Sequence, residues 1–325
     1  MSISISYGLR VRLNGVRARL ERDVRRVVFG ERPTWKRRPN TLPWLDQPDA
    51  LRQIDRTRED ADLLEKWVGD GYVVVRDCVD PGDIDAMIAT LDGLWDASEA
   101  IRGLEILGLR DATGAPERNL SHGDVLRLDP DTRRRLRDAS DWRIHGFHYV
   151  DEAARRIYFN RKLRRIASRL LGRRARPIAA INFMSGSEQE LHQDMAVFHI
   201  YPHDYLVGAW IACEDISPES GPLVLHAGSH RAGMFPGFPD YPQTNLRTAD
   251  PALDAAYHAW ADDVAGRHPE HEFLARKGDV LFWHGMLLHG GAPVRRRDST
   301  RKSMVLHYTA RNADRGREVR GPFNW

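Results

Sequence analysis

Leu191-His192-Gln193-Asp194-Met195-Ala196-Val197-Phe198, answered by Leu287-Leu288-His289-Gly290-Gly291 and then by Arg301-Lys302-Ser303, is the stretch from which this 325-residue chain can be read. Alternation along a strand puts residues i and i+2 on one side, so His192 and Asp194 can face one metal ion. His289 stands 95 residues beyond Asp194 and must arrive from elsewhere in the fold. Two imidazoles and one carboxylate occupy one face of a six-coordinate ferrous ion and leave three positions for a co-substrate and dioxygen. Arg301 follows His289 by 12 residues, enough to turn and return along the next strand. A guanidinium there can grip the distal carboxylate of a dicarboxylate in a two-pronged contact.

His-x-Asp alone recurs by chance in a chain with 14 histidines, so the surroundings decide. The run Val280-Leu281-Phe282-Trp283-His284-Gly285-Met286-Leu287-Leu288 reads as buried strand, turn and buried strand leading into His289. Strands are predicted over about 178–184, 192–199, 206–213, 222–226, 272–275, 279–283, 286–290 and 302–309. Before them come a helix near 57–69, a strand at 72–75, a helix opened by Asp80-Pro81, a mostly loop region at 98–124, and one helix over 151–171. The fold class expected is mainly β with helical additions: a double-stranded β-helix, or jelly roll, buttressed by helices. The Pro-rich excursion over 231–270 interrupts the β pattern and is either a lid over the cavity mouth or a rigid surface excursion. His284 reads as structural, because only His289 has an Arg at the expected distance. His199 and His203 can face either cavity or solvent.

These segments resemble the phytanoyl-CoA dioxygenase family of Fe(II)/2-oxoglutarate oxygenases. The resemblance covers roughly residues 60 to 310. It rests on the His192/Asp194 motif, Gly208-Ala209-Trp210-Ile211, the Ala227-Gly228-Ser229-His230 turn (Ala227 where the family has Pro), Gly278-Asp279 through His289, and Arg301-Lys302-Ser303. It implies His192, Asp194 and His289 as iron ligands, Arg301 on the C5 carboxylate of 2-oxoglutarate, and Trp210 lining the co-substrate pocket. It further implies that Asn182 contacts 2-oxoglutarate and that Ser303 adds a hydroxyl to its carboxylate. Gly291 departs from the family, in which Ser or Thr is common. The implied reaction consumes Fe(II)-bound 2-oxoglutarate and O2, releases succinate and CO2, and hydroxylates an unactivated C–H of a small-molecule or carrier-linked substrate. Related halogenases replace the carboxylate ligand with a small residue, so Asp194 argues for hydroxylation or another oxidative change. The rival readings are a metal-dependent cupin-type enzyme that does not use 2-oxoglutarate and a membrane-docked scaffold with a vestigial metal site.

Composition bounds the rest. Hydrophobic residues make up 42% of the chain, ample for one large core, and the net charge of +3 gives no reason to expect nucleic acid as a partner. Two cysteines, Cys78 and Cys213, do not make a disulfide framework, and the first 30 residues lack an apolar signal region, so a cytoplasmic setting is expected. Residues 1–48 form a basic arm and 49–325 a single oxygenase domain. In the arm Leu9, Leu13, Val16, Leu20, Val24 and Val27 recur at helical spacing beside many arginines. That amphipathic helix can meet a membrane surface or pack on a subunit.

Overall fold

The computed structural model describes residues 43–110, 118–198, 200–201, 204–238, 241, 244–296, 299–310 and 313–315. The amphipathic helix expected in the arm, and His199 and His203, lie outside the described residues. In chain order the strands are β1 (Tyr72–Val75), β2 (Glu105–Leu109), β3 (Arg118–Ser121), β4 (Arg143–His145), β5 (Ala175–Phe183), β6 (Ile200–Tyr201), β7 (Leu206–Ala212), β8 (Leu223–His226), β9 (Glu270–Phe273), β10 (Val280–His284), β11 (His289–Gly291), β12 (Ser303–Ala310) and β13 (Asp314–Arg315). The helices that matter below are α1 (Ala61–Asp70), α2 (Pro81–Asp92), α3 (Glu152–Tyr158), α4 (Arg161–Leu170) and α5 (Pro251–Ala265).

One antiparallel sheet runs β1-β10-β7-β12-β5-β4-β2-β3, and a smaller one runs β11-β8-β9. Strand alternation divides the apolar side chains of the large sheet between two cores. Ala209, Ile211, Phe282, Met304, Leu306 and Tyr308 turn toward the helices and pack with Ile84 and Met87 of α2, Ala154 of α3 and Leu163 of α4. Trp210, Leu281, Trp283 and Val305 turn the other way, onto Leu225 and Phe273 of the small sheet. This is the expected jelly roll, with helices closing one face.

Local chemistry explains the boundaries. Asp80 caps α2, its side chain accepting from the Gly82 and Asp83 amides, with Pro81 at the first position. Gly71 closes α1 at φ 78° and returns its N–H to Trp67 O at 2.9 Å. The single helix expected over 151–171 is two: Asn160 takes an extended conformation and caps α4 by accepting from Lys162 and Leu163. The loop expected over 98–124 instead supplies β2 and β3, which extend the sheet edge. Residues 192–198 do not form the expected strand. His192 makes an isolated bridge to His289, and Asp194–Ala196 is a 3-10 turn.

The 231–270 excursion is a packed buttress. Phe238, Tyr257, Ala261, Val264 and Ala265 bury against Ala196 and Leu288, which flank the two ends of the His-x-Asp and His289 segments. No helix among the described residues is long and apolar enough to cross a membrane.

Gly208 of β7 lies in register with Trp283 of β10 on one side and His307 of β12 on the other. A Cβ there would overlap the Trp283 indole. Gly208→Ala is expected to displace that ring and cost about 1–3 kcal/mol of stability, as over-packed cores do. A urea unfolding curve superimposable on that of the unmodified protein would contradict this.

Candidate metal and dicarboxylate site

Between the two sheets lies a cavity of about 130 Å³. His192, Asp194 and His289 line it, and their ligand atoms all lie within 4.8 Å of one another. The segments carrying the two histidines are tied by a pair of backbone hydrogen bonds, His192 N–H to His289 O at 2.9 Å and His289 N–H to His192 O at 3.1 Å. Two glycines permit this close crossing. A Cβ on Gly290 would press on Gln189 O at 2.7 Å, and one on Gly291 would meet the Glu188 amide at 3.0 Å. The second is a tight contact at the position where the family commonly carries Ser or Thr.

Hydrogen bonds orient each donor. His192 Nδ1 faces Glu190 O at 2.8 Å, and His289 Nδ1 faces Leu287 O at 3.0 Å. A carbonyl accepts only, so both Nδ1 atoms carry the proton and both Nε2 atoms keep a lone pair. Each Nε2 lies 3.8 Å from Asp194 Oδ1. The other carboxylate oxygen, Oδ2, accepts from Trp283 Nε1 at 2.9 Å and from His307 Nε2 at 3.0 Å. Burial pushes the Asp194 carboxyl up, but His307, with smaller contributions from His289 and His192, more than reverses this and holds it well below the usual carboxylate range. Burial, then the neighbouring His192, pulls His289 down to about 4, so it is neutral and available as a ligand. Three donors with one ionised oxygen and two imidazole lone pairs suit a first-row divalent ion.

Gln193 points away from the cavity. Its side-chain amide donates to Gly233 O and Met286 O, and its backbone N–H donates to the Tyr257 hydroxyl at 2.7 Å. The buttress therefore grips the motif between His192 and Asp194.

Arg301 also lines the cavity and is buried. Its Nη1 donates to Gly221 O at 2.6 Å and its Nη2 to Ser187 Oγ at 3.0 Å, while Nε has no partner. Burial lowers its pKa to about 10, so it stays a cation at neutral pH. No carboxylate is ion-paired with it among the described residues. Asp141 acts on it only through space, and a buried cation with no carboxylate in direct contact is expensive and suits an added anion. Trp210 lines the same cavity, as expected, with Ile181, Phe183 and Val305 forming apolar wall.

Two expected contacts change. Asn182 lies on the opposite face of β5 from Ile181 and Phe183, with its amide toward Met87 Sδ at 3.3 Å in the helix-side core. Strand alternation alone excludes it from the cavity. Ser303 shares a β12 face with Val305 and His307 but does not itself line the cavity; the hydroxyl at Arg301 belongs to Ser187. The residues not anticipated are Trp283, His307, Ser187, Gln189 and Tyr257.

A second cluster, Asp46, Asp204 and His284, also lies within 4.8 Å. Here His284 Nδ1 accepts from the Met286 amide at 3.0 Å, so its Nε2 carries the proton and gives it to Asp46 at 3.1 Å. The His284 ring keeps no lone pair for a metal, and the trio is a structural tie.

With this geometry established, comparison with known proteins is direct. The phytanoyl-CoA dioxygenase family profile matches residues 67–303. The chain is 31% identical to human peroxisomal phytanoyl-CoA dioxygenase over 124 residues, 38% of this chain and 34% of that protein. It is 23% identical to a Caenorhabditis elegans phytanoyl-CoA dioxygenase domain-containing protein 1 homolog, over 77% of this chain and 91% of that one. The stretch matched in the human relative is thus about a third of its length. Among solved structures, the carbocyclase SnoK of nogalamycin biosynthesis aligns with TM-score 0.55 at 15% identity, covering 82% of this chain and 87% of its own. EctD from S. alaskensis, solved with 2-oxoglutarate and 5-hydroxyectoine, aligns with TM-score 0.51 at 18% identity, covering 77% and 76%. These two show the shared fold. The chain belongs to the phytanoyl-CoA dioxygenase family.

Removing the Tyr257 hydroxyl leaves the Gln193 amide buried without a partner. Tyr257→Phe is expected to cost about 1–3 kcal/mol of stability. An unchanged urea midpoint would remove Tyr257 from the support of the motif.

Proposed function

We propose that this member of the phytanoyl-CoA dioxygenase family is an Fe(II)- and 2-oxoglutarate-dependent oxygenase that hydroxylates an unactivated C–H of a small or carrier-linked substrate. One observation carries the reading: a three-donor cluster and a buried Arg301 with no ion-paired carboxylate among the described residues line the same small cavity. A metal-only cupin has no use for that cation.

In this reading His192 Nε2, His289 Nε2 and Asp194 Oδ1 hold the iron. When bound, iron with 2-oxoglutarate supplies the activation of dioxygen, with succinate and CO2 released and one oxygen atom delivered to the substrate. The chain's own share is positioning. Trp283 and His307 occupy Asp194 Oδ2, which leaves Oδ1 to the metal and keeps the carboxylate from turning. Arg301 donates to the far carboxylate of 2-oxoglutarate, with Ser187 Oγ beside it. Ile181, Phe183, Val197, Leu223 and Val305 give the cavity an apolar lining that excludes water and suits a hydrocarbon reacting carbon.

His192→Ala and His289→Ala should each purify with little iron; near-stoichiometric iron in either variant would refute the ligand set. Arg301→Leu removes a charge-assisted contact of about 2–3 kcal/mol, so the 2-oxoglutarate Kd should rise roughly 30- to 150-fold with iron retained. An unchanged Kd would take Arg301 out of the site. His307→Phe, which frees Oδ2, should weaken iron binding by about 10- to 100-fold while leaving the apoprotein folded. Equal affinity would show that the clamp does not act on the metal.

A further inference from the structure

A second hollow, of about 470 Å³, opens beside α3, α4 and the first residues of β5. It shares no lining residue with the cavity described above. Arg155, Arg164, Arg174 and Arg176 line it, and no carboxylate among the described residues does. Neighbouring arginines on the same helices are tied down. Arg156 pairs with Asp83 at 2.6 Å, and Arg169 pairs with Asp60 at 2.5 Å. Arg155 is held by Glu152 and by the carbonyls of His148 and Tyr149. Arg164 and Arg174 are exposed, and their guanidiniums have no hydrogen bond or ion pair among the described residues.

The floor is an imidazole that the protein leaves unsatisfied. His148 is buried, stacked on Tyr158 at 3.6 Å and 7°, with Tyr149 at 4.1 Å. Neither ring nitrogen has a hydrogen-bond partner. Both nitrogens are closed to solvent, so the ring packs beneath the cationic hollow and does not itself reach into it. Burial, then the nearby Arg155, pulls its pKa down to about 3, so the ring is neutral and adds no charge to the arginines above it. At the rim Phe159 is 59% exposed, meeting Tyr158 edge-on at 4.9 Å and otherwise open to solvent.

We propose that this hollow binds a phosphate-bearing organic anion, with its phosphate on Arg164 and Arg174 and its apolar or planar part against Phe159. A phosphate ester carries close to two negative charges and several acceptor oxygens, which matches two unpaired guanidinium forks; a single carboxylate would neutralise only one. The proposal does not depend on the oxygenase reading, because it concerns separate residues.

The test is calorimetric titration of the full chain at low salt with pyrophosphate and with ADP, and with citrate as a phosphate-free polyanion. Binding of both phosphates, with ADP the tighter, is expected. Arg164→Gln and Arg174→Gln should each weaken both by about tenfold or more. Phe159→Ala should bring ADP toward the affinity of pyrophosphate and leave pyrophosphate unchanged. Thermal unfolding should be unaltered in the two arginine variants, which replace exposed side chains. Failure of both phosphates to bind at millimolar concentration, equal binding of citrate, or full binding by the Arg164→Gln/Arg174→Gln double variant would each overturn the proposal. Co-sedimentation with phosphatidic acid vesicles, without binding of either soluble phosphate, would assign the phosphate to a lipid headgroup and overturn the soluble ligand.

Discussion

The Nδ1 atoms of His192 and His289 face the carbonyl oxygens of Glu190 and Leu287, and that pair of hydrogen bonds turns both Nε2 lone pairs toward Asp194. The rest of the cavity depends on it. An imidazole with a backbone N–H at Nδ1 is switched to the other tautomer, as His284 is by Met286, and can then only donate from Nε2. Five residues separate a candidate ligand from a structural tie, and the difference is a carbonyl exchanged for an amide. The two carbonyls are themselves placed by the reciprocal bridge between residues 192 and 289, which Gly290 and Gly291 allow by leaving room for the 188–190 backbone.

The cavity also keeps two opposite charges apart. Asp194 is ionised and Arg301 is cationic, both buried in one lining, and they are not paired with each other among the described residues. Direct pairing would neutralise both and leave no reason for a dication or a dicarboxylate to enter. Trp283 and His307 satisfy one oxygen of Asp194, and Gly221 O and Ser187 satisfy two donors of Arg301, which is enough to fold and less than enough to quench. Such a site costs stability that a ligand can return.

Much of this was legible in the sequence. The strands β1, β5, β7, β8, β10 and β12 follow from apolar runs, and the cap at Asp80-Pro81 from local chemistry. His192, Asp194, His289, Arg301 and Trp210 do share one cavity. What failed did so for identifiable reasons. Asn182 was assigned by resemblance, but the parity of β5 places it with Met87 on the helix side. The His192–Asp194 pair converges through a bridge and a 3-10 turn, where alternation along a strand had been expected. The 231–270 excursion looked like a lid because prolines mark irregular backbone, yet its aromatic residues pack beneath the motif and Tyr257 hydrogen-bonds to it. Irregular backbone is not mobile backbone when its side chains are buried.

Trp283 and His307 were illegible for a different reason: their role exists only across strands. They flank Gly208 in adjacent strands of the sheet and meet on one oxygen of Asp194. Neither lies in the His-x-Asp segment, and a Trp or His at the end of an apolar run looks like ordinary core. The signal was the glycine. A side chain at 208 would collide with the indole, so the bare backbone is what lets the two donors converge on the carboxylate. A glycine in the middle of a fully buried strand weakens it and has no packing reason of its own. Its presence in β7 leaves space for a pair of neighbours that hold the Asp194 carboxylate still.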